Sequence, residues 1–336
     1  MSEELGEVLG EQVERVLADM VDVGVLRDIE AGAWPARLWG ALEELGLPLA
    51  LVPEAAGGVG LGFEAAAPAL MALGRHGAPA PLGETMFAAA LLAAAGIEIP
   101  AGAISLASQG KQVAWGRHAG HVLTVLDARI AFYPAASVTW QHDRNIAREP
   151  RDVMSATGGA VAKGRLPEAW GEEAARLCIA LLRGLHIAGA LQAALALAVE
   201  YANTRKQFGK PIGRFQAIQQ QLAVFAEEAA AAATAAASAA RAVDRHGLAG
   251  AEFEIGCAKI VAGEAATQCA SIAHQVFGAI GITEEHSLHH LTRRLWSWRD
   301  EGGGERFWAA RIGRHALARG GAALWPDLTA RDEEAP

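Results

Sequence analysis

Residues 177–199, LCIALLRGLHIAGALQAALALAV, form a run with no polar face. Its length would cross a bilayer. Arg183 and His186 sit inside it, however, and a charge at bilayer depth is costly. Much of the rest is alanine, which gains little from lipid. A helix apolar all round is also what the centre of a large helical bundle requires. The run therefore predicts a bundle core and no membrane span. The acidic start, with Leu5, Val8, Leu9, Val13, Val16, Leu17 and Met20 at helical spacing, reads as an amphipathic helix and not as a signal peptide.

Composition narrows the function classes. The chain has 336 residues, 52% hydrophobic and 20% charged, enough for two or three units around a sizeable core. A net charge of −9 argues against nucleic acid as a partner. Cys178, Cys257 and Cys269 lie far apart and predict buried thiols, no zinc site and a reducing cytoplasm. His118, His121 and His142 fit no metal template and read as strand-end or surface residues, so no metal is expected.

Three zones follow: helical at 1–99, a reduced β domain at 100–168, and a C-terminal four-helix bundle at 169–330. In the first, 34–45 and 65–73 carry helical periodicity, and GGVGLG at 57–62 is a structural turn without a phosphate-loop pattern. In the second, short β-rich runs at 113–115, 122–125, 130–133 and 138–140 predict a small antiparallel unit. The third reads as a long helix to about 206, the FGKPIG break, helices at 215–246 and 251–277, a glycine turn, and two shorter helices. The alanine tract 229–240 predicts close backbone approach. The fold class is α+β, mainly α.

One segment speaks about function. Residues 201–218, YANTRKQFGKPIGRFQAI, end a helix at Arg205–Lys206 and stop it with Gly209 and Pro211. Arg205 can meet a pyrophosphate through two parallel hydrogen bonds. Phe208 offers a flat face to an adenine, and Gln216 is expected to cap the next helix. The pattern Tyr-x-x-x-Arg-x-x-Phe-Gly-x-x-Ile-x-x-x-Gln resembles the flavin-binding turn of acyl-CoA dehydrogenases, with Ile212 at the isoleucine position. By that resemblance Arg205, Phe208, Ile212 and Gln216 contact the FAD of a neighbouring subunit. HQVFGAIGITEE, 274–285, resembles the family's Gln-x-x-Gly-Gly-x-Gly loop and implies FAD contacts for Gln275, Val276, Gly278 and Ala279. Ala279 stands where a second glycine is usual. VPEAAGGVGLG, 52–62, resembles a third family loop.

The resemblance implies a fold of helices, a small β unit and a helical bundle, and a reaction in which a carboxylate takes the α-proton of an acyl-CoA thioester while the β-hydride passes to flavin N5. It also implies electron-transfer flavoprotein as acceptor and assembly as a dimer or tetramer. The base is expected to be raised in pKa by a dry pocket. In the family it is commonly a Glu before a Gly. Here that is Glu301–Gly302 in RRLWSWRDEGGGERFW, with Asp300 and Glu305 as competitors. Some relatives carry the base on the long helix, but Cys178, Ile179 and Ala180 cannot serve. The β unit is short and lacks the family stretches that flank the isoalloxazine, and nothing in 102–164 supplies an evident substitute. Shortened relatives can share active sites with a fuller subunit. Two readings stay open: an FAD-dependent dehydrogenase, homo- or hetero-oligomeric, or a half-site partner that contributes only to FAD binding. A flavin oxidase on the same scaffold is a third.

Overall fold

The computed structural model describes residues 2–107 and 112–330. Five helices come first: α1 (Ser2–Met20), α2 (Val23–Ala31), α3 (Ala36–Glu44), α4 (Phe63–Arg75) and α5 (Leu82–Ala94). On α1 the buried stripe is Leu9, Val13 and Leu17, one turn apart, while Leu5 and Val8 face solvent although their spacing places them on that face. The reason is Gly6, which lies so close to α4 that a Cβ there would stand 2.5 Å from Ala65 O. The 57–62 turn ends at Gly62, where Asp244 from the bundle accepts hydrogen bonds from the Phe63 and Glu64 amides at 2.7 and 2.8 Å. A side chain from another layer thus satisfies the first amides of α4.

The β domain holds β1 (Ile104–Ala107), β2 (Gln112–Ala114), β3 (His121–Leu126), β4 (Arg129–Pro134), β5 (Val138–Gln141), β6 (Arg151–Thr157) and β7 (Ala162–Arg165). One sheet runs β1-β3-β4-β7 and the other β2-β6-β5. The pairing is antiparallel except for β1 with β3, which are parallel in register Ile104–His121. The purely antiparallel expectation misses this because β1 returns to the sheet through β2 of the other sheet. Between β5 and β6 a loop closes on itself, with an Arg144–Pro150 bridge and Arg148 at φ 62°.

The bundle follows: α6 (Ala174–Thr204), the two-residue strands β8 (Lys206–Gln207) and β9 (Lys210–Pro211), α7 (Gln216–Gly250), α8 (Glu252–Phe277) and α9 (Leu288–Asp300). Two lesser points differ from the sequence reading: α10 (Glu305–Arg319) is followed by a further helix, α11 (Gly321–Thr329), and Cys257 is only half-buried. Helix α6 is long and apolar enough to cross a membrane by length and composition. Here 83% of its most apolar window is buried inside the protein, among α4, α7, α8 and α9. On α7, Ala229, Ala232, Ala236, Ala239 and Ala240 are buried, and small side chains let α7 lie close to α6 and α8. The His118 and His121 rings stack on Trp34 and Phe132.

Helices α4 and α6 cross with their backbones in contact. A Cβ at Gly189 would stand 1.9 Å from Met71 O, and one at Gly74 would stand 2.0 Å from His186 O. Replacing Gly189 by Ala gains about 1 kcal/mol of helix propensity. The clash is with backbone, so overpacking, about 1–3 kcal/mol, outweighs the gain. Gly189→Ala is expected to lower the thermal midpoint; a midpoint equal to or above the native one contradicts this crossing.

Candidate functional site: a carboxylate between two arginines

The Asp300–Gly304 turn joins α9 to α10 and is wedged against α6. Gly302, at φ 73°, leaves no room for a side chain, since a Cβ would stand 2.7 Å from Ala180 N. Glu301 has extended backbone and faces a cavity of about 530 Å³. Leu106, Gln112 and Ala114 of the strands, Arg144 to Ile146 and Arg151, Ile179 and Arg183 of α6, and Asp300 to Gly303 line it. Where the sequence suggests no wall, the 143–151 loop and strands β1 and β2 provide one for this cavity. Of the competing acids, Asp300 lines it, whereas Glu305 turns away and accepts from Arg299 Nε at 2.6 Å.

Glu301 is held from both sides. Arg151 donates through Nε to Oε1 at 2.7 Å and through Nη2 to Oε2 at 3.1 Å. Arg183 donates through Nε to Oε2 at 2.6 Å, and Asn145 donates to Oε1 at 3.3 Å. The ion pairs continue in both directions. Arg183 reaches Glu84 on α5 at 2.5 Å. Arg151 reaches Glu149 at 3.0 Å, and Glu149 lies 3.4 Å from Arg294 and accepts from Trp298 Nε1 at 3.1 Å. Arg294 lies 3.7 Å from Glu30 on α2, which also accepts from His290 and Arg293 at 2.8 Å. Most of these side chains are almost fully buried; Glu301, at 20% exposure, is the open end.

The expected raised base is not what this geometry produces. Burial pushes the Glu301 carboxyl up, but the Arg151 and Arg183 charges and their hydrogen bonds outweigh it and hold it at about 2. Burial likewise opposes ionisation of Glu30, yet His290 and Arg293 bring it to about 2. His186, which accepts from Arg183 through Nδ1 at 3.1 Å, is kept neutral by burial and by that guanidinium. Burial also raises the Cys178 thiol, leaving it inert on α6.

The other predicted residues gather at the far end of α6. Arg205 is the C-cap of that helix and is exposed. Phe208 and Gly209 form the two-residue turn between β8 and β9, both at positive φ (50° and 80°). Such turns favour Asn-Gly, and a bulky residue there is strained. Phe208 is nevertheless 89% exposed, so packing does not reward the strain. Gln216 opens α7 without making a side-chain cap; Gln219 ties the turn instead, donating to Gly213 O at 3.0 Å. Tyr201 stacks on Phe277 with centroids 4.3 Å apart, which brings the end of α8 alongside. Gln275, Gly278 and Ala279 are exposed there, while Ile212 and Val276 are buried beneath. Gly278 has no atom within 4 Å of where a Cβ would stand. From Arg183 to Arg205 the helix rises about 33 Å at ~1.5 Å per residue.

With this geometry, the likeness to known proteins is specific. Residues 3–98 match the family described as acyl-CoA dehydrogenase, N-terminal domain, and residues 171–317 match acyl-CoA dehydrogenase, C-terminal domain. The chain belongs to the acyl-CoA dehydrogenase family. It is an oxidoreductase acting on acyl-CoA. Acyl-CoA dehydrogenase IpdE2 of Mycobacterium tuberculosis is 31% identical over 303 residues, covering 86% of this chain and 90% of that one. Among solved structures, the ChsE4-ChsE5 complex of Mycobacterium tuberculosis has a TM-score of 0.79 at 22% identity, covering 93% of this chain and 97% of its own. A structure described as PigA with FAD and proline has a TM-score of 0.78 at 17% identity, covering 94% and 98%. The gap between 98 and 171, where neither domain matches, contains the whole reduced β domain.

The acid behaviour of the fold follows from the two depressed carboxyls. A group with a pKa near 4.5 unfolded and about 2 folded stabilises fully above pH 4.5. That contribution, on the order of 3 kcal/mol for each such group, is lost as pH falls from 4.5 toward 2. Glu301→Gln is expected to leave a shallower fall in thermal midpoint over this window. A fall as steep as the native one contradicts the arrangement.

Proposed function

We propose that this chain takes part in FAD-dependent α,β-dehydrogenation of an acyl-CoA thioester, in an oligomer whose flavin sites are shared between chains. The observation that carries this reading is the separation of the Arg205–Phe208 turn from the Glu301 cavity along α6. About 33 Å exceeds the span of one extended FAD, so the two places serve different cofactor molecules. The turn fits the outer end of a dinucleotide: Arg205 supplies a bidentate donor for a pyrophosphate, Phe208 an uncovered ring, and Gly278 an open approach to backbone. FAD, when bound, accepts the β-hydride and passes electrons on, with electron-transfer flavoprotein as the acceptor.

Within the cavity Glu301 is the carboxylate in position to take an α-proton. A base with a pKa of about 2 is weak at neutral pH. Its work requires that Arg151 and Arg183 relax their hold when an acyl thioester occupies the cavity. The same arginines favour a second reading, in which Glu301 is a structural counter-ion and this chain is the half-site partner of a catalytic subunit. The complex of two different chains named for one structural relative supports that reading.

Glu301→Gln separates the two. Activity is measured on short-chain, dicarboxylic and steroid-side-chain acyl-CoA thioesters, with the purified protein and with its native complex. Under the first reading the rate falls by at least about a hundredfold, the scale of a lost general base, while flavin content is kept. An unchanged rate in the complex overturns Glu301 as the base and leaves the partner role.

A further inference from the structure

The last turn of a helix leaves four carbonyls without partners, and chains commonly close them with a left-handed glycine. Helix α9 ends differently. Its C-cap is Glu301 itself, at φ −72° and ψ 136°, and the following glycines are used to fit the turn against α6 and α10. The end carbonyls are taken by a side chain from another helix. Lys259 on α8 is completely buried, and its ammonium donates to Trp298 O at 3.0 Å and to Arg299 O at 2.9 Å. Burying an ammonium is expensive unless it is hydrogen-bonded, and a cation at a helix C-terminus is favoured by the helix dipole.

The surface around Lys259 is shaped for the same turn. One turn to either side on α8 lie Gly256 and Gly263. A Cβ at Gly263 would stand 2.4 Å from Glu305 Oε1, and one at Gly256 would stand 2.9 Å from the Trp308 ring. The start of α10 therefore rests on the two glycines while the end of α9 hangs on the lysine between them. Glu301 occupies the short link, and its direction depends on where α9 stops.

We propose that Lys259 is the positioning residue for Glu301: by taking the two end carbonyls of α9 it fixes where that helix stops and so aims Glu301 at the Arg151–Arg183 pair. Lys259 does not line the cavity and is not itself a catalytic residue. The functional meaning of the inference rests on Glu301 acting from this turn, but the geometric claim does not.

The test compares thermal midpoints of the full-length wild-type protein, Lys259→Met and Glu301→Gln as pH is lowered through 4.5 toward 2, the window in which Glu301 titrates. Burial brings the Lys259 ammonium down to about 7, so it stays protonated throughout that window. Lys259 also acts on Glu301 directly through its charge, but Arg151 and Arg183 set the Glu301 titration. Loss of the lysine charge alone therefore flattens the curve by far less than half, and Asp300, Glu305 and Arg183 are unchanged in the variant. If Lys259 aims Glu301, removing its donors also removes the acid-dependent stabilisation. The Lys259→Met curve is then flattened by at least about half as much as the Glu301→Gln curve. A merely structural lysine gives a curve displaced equally at every pH, and that parallel displacement overturns the proposal. Should the Met variant fail to fold, Lys259→Gln is measured in the same way. Flattening by Lys259→Met together with full activity of Glu301→Gln retains the positioning role and removes the base assignment. A parallel curve together with collapsed Glu301→Gln activity does the reverse.

Discussion

The Glu301 carboxylate, held between Arg151 of the β domain and Arg183 of the central helix, is the contact on which the three zones depend. An arginine in the middle of a 31-residue apolar helix needs a counter-charge, because an unpaired buried charge costs several kcal/mol. Arg183 finds one on each side, Glu84 from the N-terminal helices and Glu301 from the α9–α10 turn. Arg151 and Glu149 then carry the chain of charges through the β domain to Arg294 and Glu30. Apolar packing alone would let the zones slide. Paired charges with fixed geometry make one register costly to leave.

The same interaction sets the chemistry. A carboxylate beside two guanidiniums is permanently charged near neutral pH, which suits an architectural ion and opposes a proton acceptor. Arg144, Asn145 and the arginine pair line the cavity together with Glu301, so an acyl group placed there lies beside the ion pairs as well as the carboxylate. With Glu301 as the proposed base, dehydrogenation requires a rearrangement at the ion pairs, whereas a partner role requires none.

Much of the architecture was legible in the sequence. The apolar run 177–199 pointed to a buried central helix, and the alanine tract pointed to close helix packing. The motif around Arg205 led to an exposed, strained turn beside the 274–285 loop. The ion network escaped because its members are scattered between residues 30 and 301, and pairing across layers leaves no periodic trace. One signal was available: Arg183 and Glu84 each interrupt an apolar helix, and two buried charges of opposite sign invite a pairing. The raised pKa expected of Glu301 fails for the same reason: burial is readable from an apolar sequence, whereas the Arg151 and Arg183 charges come from distant segments. The parallel β1–β3 pair and the cap from Lys259 depend on contacts between distant segments, which periodicity does not encode.

The distance along α6 between the Arg205–Phe208 turn and the Glu301 cavity carries the proposal that each flavin site is shared between two chains. Sedimentation velocity followed both in the protein band and in the visible flavin band tests this most directly. Flavin absorbance is predicted to sediment only with species of two or more chains, whether copies of this one or a complex with another subunit. Flavin sedimenting with a single chain would contradict a site shared between chains.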